Sequence, residues 1–106
     1  MSQQIKTHTV ATAQSDPFIT QVREQISDTD RTIVEALNKR LTLVARLKRY
    51  KEARGLPFVD LAREEWMLRY LTRANRGPLT SDGLHELYHE LLDLTKREVA
   101  RAAEES

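Results

Sequence analysis

The chain contains no cysteine, which rules out a disulfide framework and any thiolate metal site. It also has no long hydrophobic run, since nothing in it approaches the ~20 apolar residues that span a bilayer. Neither sign of charge dominates: 17 basic residues face 16 acidic ones, and a net charge of +1 gives no overall pull toward nucleic acid. The opening segment MSQQIKTHTVATAQSD lacks the apolar stretch and cleavage pattern of a secretory signal, so residues 1–15 read as a polar, disordered arm. The absence of cysteine agrees with a reducing cytoplasm. What remains is a balanced composition, 40% hydrophobic and 31% charged, in a single domain of 106 residues. A lone chain of this size buries only a modest core, so oligomerisation is a natural source of extra stability.

With three glycines and three prolines, few points oblige a helix to stop. Asp16 followed by Pro17 is a helix start, an N-cap acceptor and then the residue preorganised for the first helical position. From there Ile19, Val22, Ile26, Ile33, Ala36, Leu37, Leu41, Val44 and Leu47 recur mostly at steps of three or four, the period of an amphipathic helix. Nothing interrupts it before Gly55 and Pro57. A helix of about 37 residues is ~55 Å long, more than a small globule can wrap alone, which argues for a second chain. A second helix is expected from Asp60 to Asn75, with Leu61, Glu64, Leu68 and Leu71 on its inner face and Gly77-Pro78 ending it. A third begins at Thr80 or Ser81, presents Leu84, Leu87, Tyr88, Leu91, Thr95 and Val99 or Glu98, and frays toward Ala103. No strand-like alternation and no internal repeat occur. The fold class is all-α, three helices per chain over 16–103, with a frayed tail at 104–106.

The informative residues are charges placed on apolar faces. Between Lys39 and Arg54 stand seven cations and a single acid, Glu52. Arg40 lies between Leu37 and Val44, and Lys51, eleven residues on, falls about 20° from the same face. Glu64 is placed likewise on the second helix, beside Arg63. Burying such groups unpaired costs several kcal/mol, so they either pair with one another, as in an internal Arg–Glu bridge, or line a pocket for an anion. Arg23 precedes Arg40 by seventeen residues, ~25 Å along an ideal helix and about 100° around it. One small ligand can touch both only if Arg23 comes from another chain.

Read in order, the segment VREQISDTDRTIVEALNKRLTLVARLKRYKEARGLPFVDLAREE resembles the all-helical chorismate mutase family. The resemblance runs from Arg23 through Asn38-Lys39-Arg40, Lys51 and the Gly55-x-Pro57 loop to Asp60-x-x-Arg63-Glu64, and covers about Ile19 to Val99. It implies an intertwined cytoplasmic homodimer with shared sites that converts chorismate to prephenate without nucleophile, metal or cofactor. It also implies roles. Arg23 of the partner chain and Arg40 hold the two carboxylates, with Arg63 nearby. Lys51 donates to a carboxylate and to the ether oxygen of the breaking bond. Asp60 and Glu64 engage the ring hydroxyl. Such roles suit the chemistry: a pericyclic rearrangement gains from a held chair-like conformer and from stabilised negative charge on the ether oxygen. Guanidinium forks match carboxylates, and an ammonium matches a single oxygen.

The third helix departs from the family pattern, which places Ser or Thr and then Gln or Glu four residues later. Thr95 fits the first position, but the second is Val99, which cannot donate, and Glu98 is one residue off. The resemblance therefore leaves room for a weak mutase, for one completed by a partner synthase, or for relatives acting on isochorismate or 4-amino-4-deoxychorismate. Asp60 and Glu64 favour the hydroxyl substrate. Two other signals are set aside. His85-Glu86-Leu87-Tyr88-His89 matches H-E-x-x-H but lacks a third ligand at a known spacing. The cations from Lys39 to Arg54 could mark a nucleic-acid-binding module, yet Arg40 and Lys51 point inward, whereas a DNA-reading helix carries its cations outside. Trp66 and Met67 read as packing or interface residues.

Overall fold

The computed structural model describes residues 14–105; most of the expected polar arm, and Ser106, lie outside them. Three long helices follow: α1 (Pro17–Ala53), α2 (Leu61–Ala74) and α3 (Ser81–Glu105). The all-α class is as expected, and the helices start and stop close to the expected positions. None among the described residues is long and apolar enough to cross a membrane. The chain divides after Asn38 into two units.

The first unit carries the N-terminal half of α1. The carboxylate of Asp16 accepts from the backbone N–H of Phe18 at 2.8 Å and of Ile19 at 3.3 Å, so two N–H groups with no helical partner are satisfied in the first turn. Much of its apolar face is uncovered. Phe18 is 70% exposed, and Ile26, Ile33 and Val34 are each about half exposed.

The second unit holds the C-terminal half of α1 with α2 and α3. The end of α1 is a Schellman turn: Leu56 N–H donates to the Lys51 carbonyl at 2.9 Å and Gly55 N–H to that of Glu52 at 3.1 Å. Gly55 sits at φ +68°, which a residue with a Cβ enters only under strain. Asp60 then caps α2, accepting from Arg63 N–H at 3.0 Å. Asn75 closes α2 and braces the next turn, donating through Nδ2 to Leu79 O and accepting from Gly77 N–H. Thr80 caps α3 by accepting from Gly83 N–H at 3.0 Å, and the helix runs on to Glu105, two residues past the expected boundary.

Among the described residues only Leu84, Thr95 and Val99 are buried, all on α3, with 6%, 4% and 5% of their surface exposed. Leu61 and Leu87, expected on inner faces, are 67% and 55% exposed. The apolar stripes are wider than the surface these three segments offer one another, so their outer members have nothing to pack on within the chain.

Candidate active site

The last turns of α1, the turn after it, the start of α2 and the middle of α3 enclose a concave cleft in the second unit. Its polar lining is Arg40 and Lys51 from α1, Asp60, Arg63 and Glu64 from the α2 cap and first turn, and Thr95 and Lys96 from α3. Its apolar lining is Val44, Leu47, Phe58, Val59, Met67 and Leu92. Six residues singled out by sequence thus come together: Arg40, Lys51, Asp60, Arg63, Glu64 and Thr95.

Each is fixed by an identifiable contact. Arg40 Nη1 donates to Thr95 Oγ1 at 2.7 Å, and that hydroxyl donates in turn to Leu91 O at 2.7 Å. The partner of Arg40 is therefore a buried threonine rather than the carboxylate that an internal ion pair would supply. One guanidinium N–H is used there, and the rest of the fork makes no other hydrogen bond among the described residues. Lys51 Nζ makes one long contact, 3.4 Å to Phe58 O, and keeps its other hydrogens. Phe58 also lies under Lys48, whose Nζ is 5.9 Å from the ring centroid. Asp60 serves two tasks, since the Oδ1 that caps α2 leaves Oδ2 free of that duty while the residue lines the cleft.

Arg63 rests on an aromatic ledge. Its guanidinium carbon is 4.1 Å from the Trp66 ring centroid, and Trp66 stacks on Tyr70 at 5.3 Å with the planes 3° apart. An exposed cation–π contact of this kind is worth ~0.5–1 kcal/mol, enough to orient Arg63 without locking it.

Sequence reasoning missed Lys96. Its Nζ lies 3.4 Å from Glu64 Oε2, with the two side chains 38% and 24% exposed. Ion pairs this accessible contribute about 0–1 kcal/mol. A lysine at the flank of an apolar stripe ordinarily reads as solvated surface, and no spacing rule separates this one from its neighbours. Counting it, the cleft carries four cations (Arg40, Lys51, Arg63, Lys96) and two carboxylates (Asp60, Glu64), a formal excess of two positive charges.

Two expected site residues lie elsewhere. Arg23, in the first unit, borders a shallow groove with Thr20, Glu24, Ser27 and Asp28. Val99, one turn beyond Thr95, is buried and borders a different groove with Ala45, Lys48, Arg49, Glu52, Ala102 and Ala103. Glu98 is paired with Arg101. The histidines of the H-E-x-x-H string take separate partners. Thr72 gives its hydroxyl hydrogen to Leu68 O, so His85 Nε2, 3.0 Å away, acts as donor to Thr72, while His89 faces Asp93 at 3.7 Å. The other cations of the α1 cluster include two satisfied at the surface: Lys48 pairs with Glu52 at 2.7 Å, and Arg54 lies 3.7 Å over the Tyr50 ring.

Comparison with known proteins agrees with the geometry. The family described as "Chorismate mutase type II" matches residues 22–99. The structure of chorismate mutase (Form II) from Thermus thermophilus superposes with a TM-score of 0.74 at 32% identity, covering 78% of this chain and 94% of that one. Form I from the same organism gives a TM-score of 0.71 at 34% identity, over 73% of this chain and 96% of that one. No curated protein sequence matches. With a family match spanning most of the chain and two similar solved structures, this protein belongs to the type II chorismate mutase family.

Proposed function

We propose that the cleft binds chorismate as a dianion and rearranges it to prephenate in one concerted step. The ether C–O bond breaks as the new C–C bond forms, and no atom enters or leaves. The observation that carries this reading is the charge of the cleft, a formal excess of +2 over an apolar floor, placed where six residues singled out by sequence meet. Arg40, oriented by Thr95, offers its remaining fork to one carboxylate. Lys51, only loosely tied to Phe58 O, donates to the ether oxygen as negative charge grows there. Asp60 and Glu64 accept from the ring hydroxyl, and Arg63 swings from its ledge on Trp66 toward the remaining anionic edge. Val44, Leu47, Val59, Met67 and Leu92 form the walls that favour the compact conformer. Val99 adds packing under the Thr95 turn rather than a polar contact.

The working unit in this proposal is a homodimer. A chain with three buried residues among those described, and with Phe18, Ile26 and Ile33 bare on α1, has its main apolar surface still to cover. A second copy would cover it and would bring its own Arg23 to the site, completing the second carboxylate clamp. The test is direct: purified protein and chorismate, followed by loss of the substrate absorbance with prephenate identified as product. Chorismate left intact at high enzyme concentration would refute the reading. Turnover of isochorismate or 4-amino-4-deoxychorismate instead would redirect it.

A further inference from the structure

The face that α3 presents to the cleft consists of Leu92, Thr95 and Lys96. Leucine has nothing to donate. The Thr95 hydroxyl has one hydrogen, already given to Leu91 O, and its acceptor side holds Arg40. Val99, on the following turn, is buried and apolar. So Lys96 is the α3 side chain in the cleft with hydrogens still to give. Its ammonium lies 3.4 Å from Glu64, a loose ion pair between two partly exposed groups rather than a hydrogen bond.

From this arrangement we propose that Lys96 is a ligand-contacting cation of the site. In the empty cleft it screens the Glu64 carboxylate, which would otherwise repel an incoming dianion. When the dianion binds, the ammonium shares or leaves Glu64 and donates to an anionic oxygen of the ligand, giving α3 a donor besides Thr95, whose hydrogen is already given to Leu91 O. This inference rests on the reading of the cleft as a chorismate site.

Kinetics of five variants of the full chain test it: Lys96→Met, Lys96→Arg, Glu64→Gln/Lys96→Met with its Glu64→Gln parent, and Lys51→Met as the control for the cleft itself. Loss of one charge-assisted contact predicts a fall of about tenfold or more in kcat/KM for Lys96→Met, with a shallower salt dependence. Lys96→Arg keeps most of the activity, and the melting temperature of either variant barely moves, since the side chain is partly exposed. If Lys96 touches the ligand, Lys96→Met costs a similar factor whether residue 64 is Glu or Gln. Loss confined to the Glu64 background would overturn ligand contact in favour of an effect exerted through Glu64. Wild-type kcat/KM in Lys96→Met alongside an inactive Lys51→Met would overturn the Lys96 assignment and leave the chorismate reading standing. Full activity in Lys51→Met would overturn the reading of the cleft and the Lys96 assignment with it.

Discussion

Replacing Thr95 with valine tests how the cleft holds its arginine. Valine matches threonine in shape, so the 4%-exposed position stays filled and no cavity opens. The change removes the acceptor 2.7 Å from Arg40 Nη1. Leu91 O loses the side-chain hydrogen but keeps its helical N–H partner. A hydrogen bond to a charged group contributes ~1.5–3 kcal/mol when both ends are enclosed. Arg40 is only part-buried, so its freed N–H can turn to water, and we expect a stability loss of about 1 kcal/mol, at or below the bottom of that range. The larger effect falls on binding. An arginine no longer held must be ordered by the substrate, at about 0.5–1.5 kcal/mol, or roughly two- to twelvefold at 1.36 kcal/mol per decade. Because a carboxylate clamp holds ground and transition states alike, the change should appear mainly in KM. Thr95→Ser keeps the acceptor and should stay close to wild type. Steady-state chorismate kinetics with a thermal melt on each variant provides the assay. Wild-type KM in Thr95→Val, or an equal loss in Thr95→Ser, would refute the claim that this hydroxyl positions Arg40.

Lys51→Ala should reduce kcat by about 10²–10³, the usual effect of removing a donor from a developing oxyanion, while circular dichroism stays helical. Mixing Arg23→Ala with Arg40→Ala chains under subunit exchange should restore roughly a quarter of wild-type sites, since half the randomly paired dimers are mixed and each holds one intact site. No recovery after verified exchange would rule out a site shared between chains. Gly55→Ala should cost about 1 kcal/mol in chemical denaturation, from backbone strain alone, because a Cβ there would meet nothing within 4 Å. An unchanged midpoint would argue against the positive-φ turn.

Much of the frame was legible because punctuation and period agree. Asp16-Pro17, Gly55 and Asp60 each mark a helix boundary through a local rule of capping or backbone conformation, and Gly77-Pro78 follows just beyond the Asn75 cap of α2. The cleft was legible for a related reason, since Arg40, Lys51 and Glu64 stand on apolar faces where a charge calls for a partner. What the sequence did not carry is which partner each side chain selects. Arg40 found the Thr95 hydroxyl, 55 residues away, and Glu64 found Lys96, because those choices depend on where α3 lies against the other helices. Leu61 and Leu87 show the opposite shortfall: periodicity reported that they are apolar on the right stripe, but not that a single chain leaves them bare.

The turn after α1 also bears on how this chain tolerates change in length. Lys51 is tied at both ends, its carbonyl receiving Leu56 N–H and its ammonium reaching Phe58 O, and Asp60 begins α2 two residues later. The stretch from Lys51 to Asp60 therefore acts as a ruler between one wall of the cleft and the next. A residue inserted there would leave both helices able to form, yet it would move the Asp60, Arg63 and Glu64 side chains out of step with Lys51. Such a variant would melt much like the parent and fail to turn over substrate. A designer lengthening this scaffold would have to leave that stretch alone.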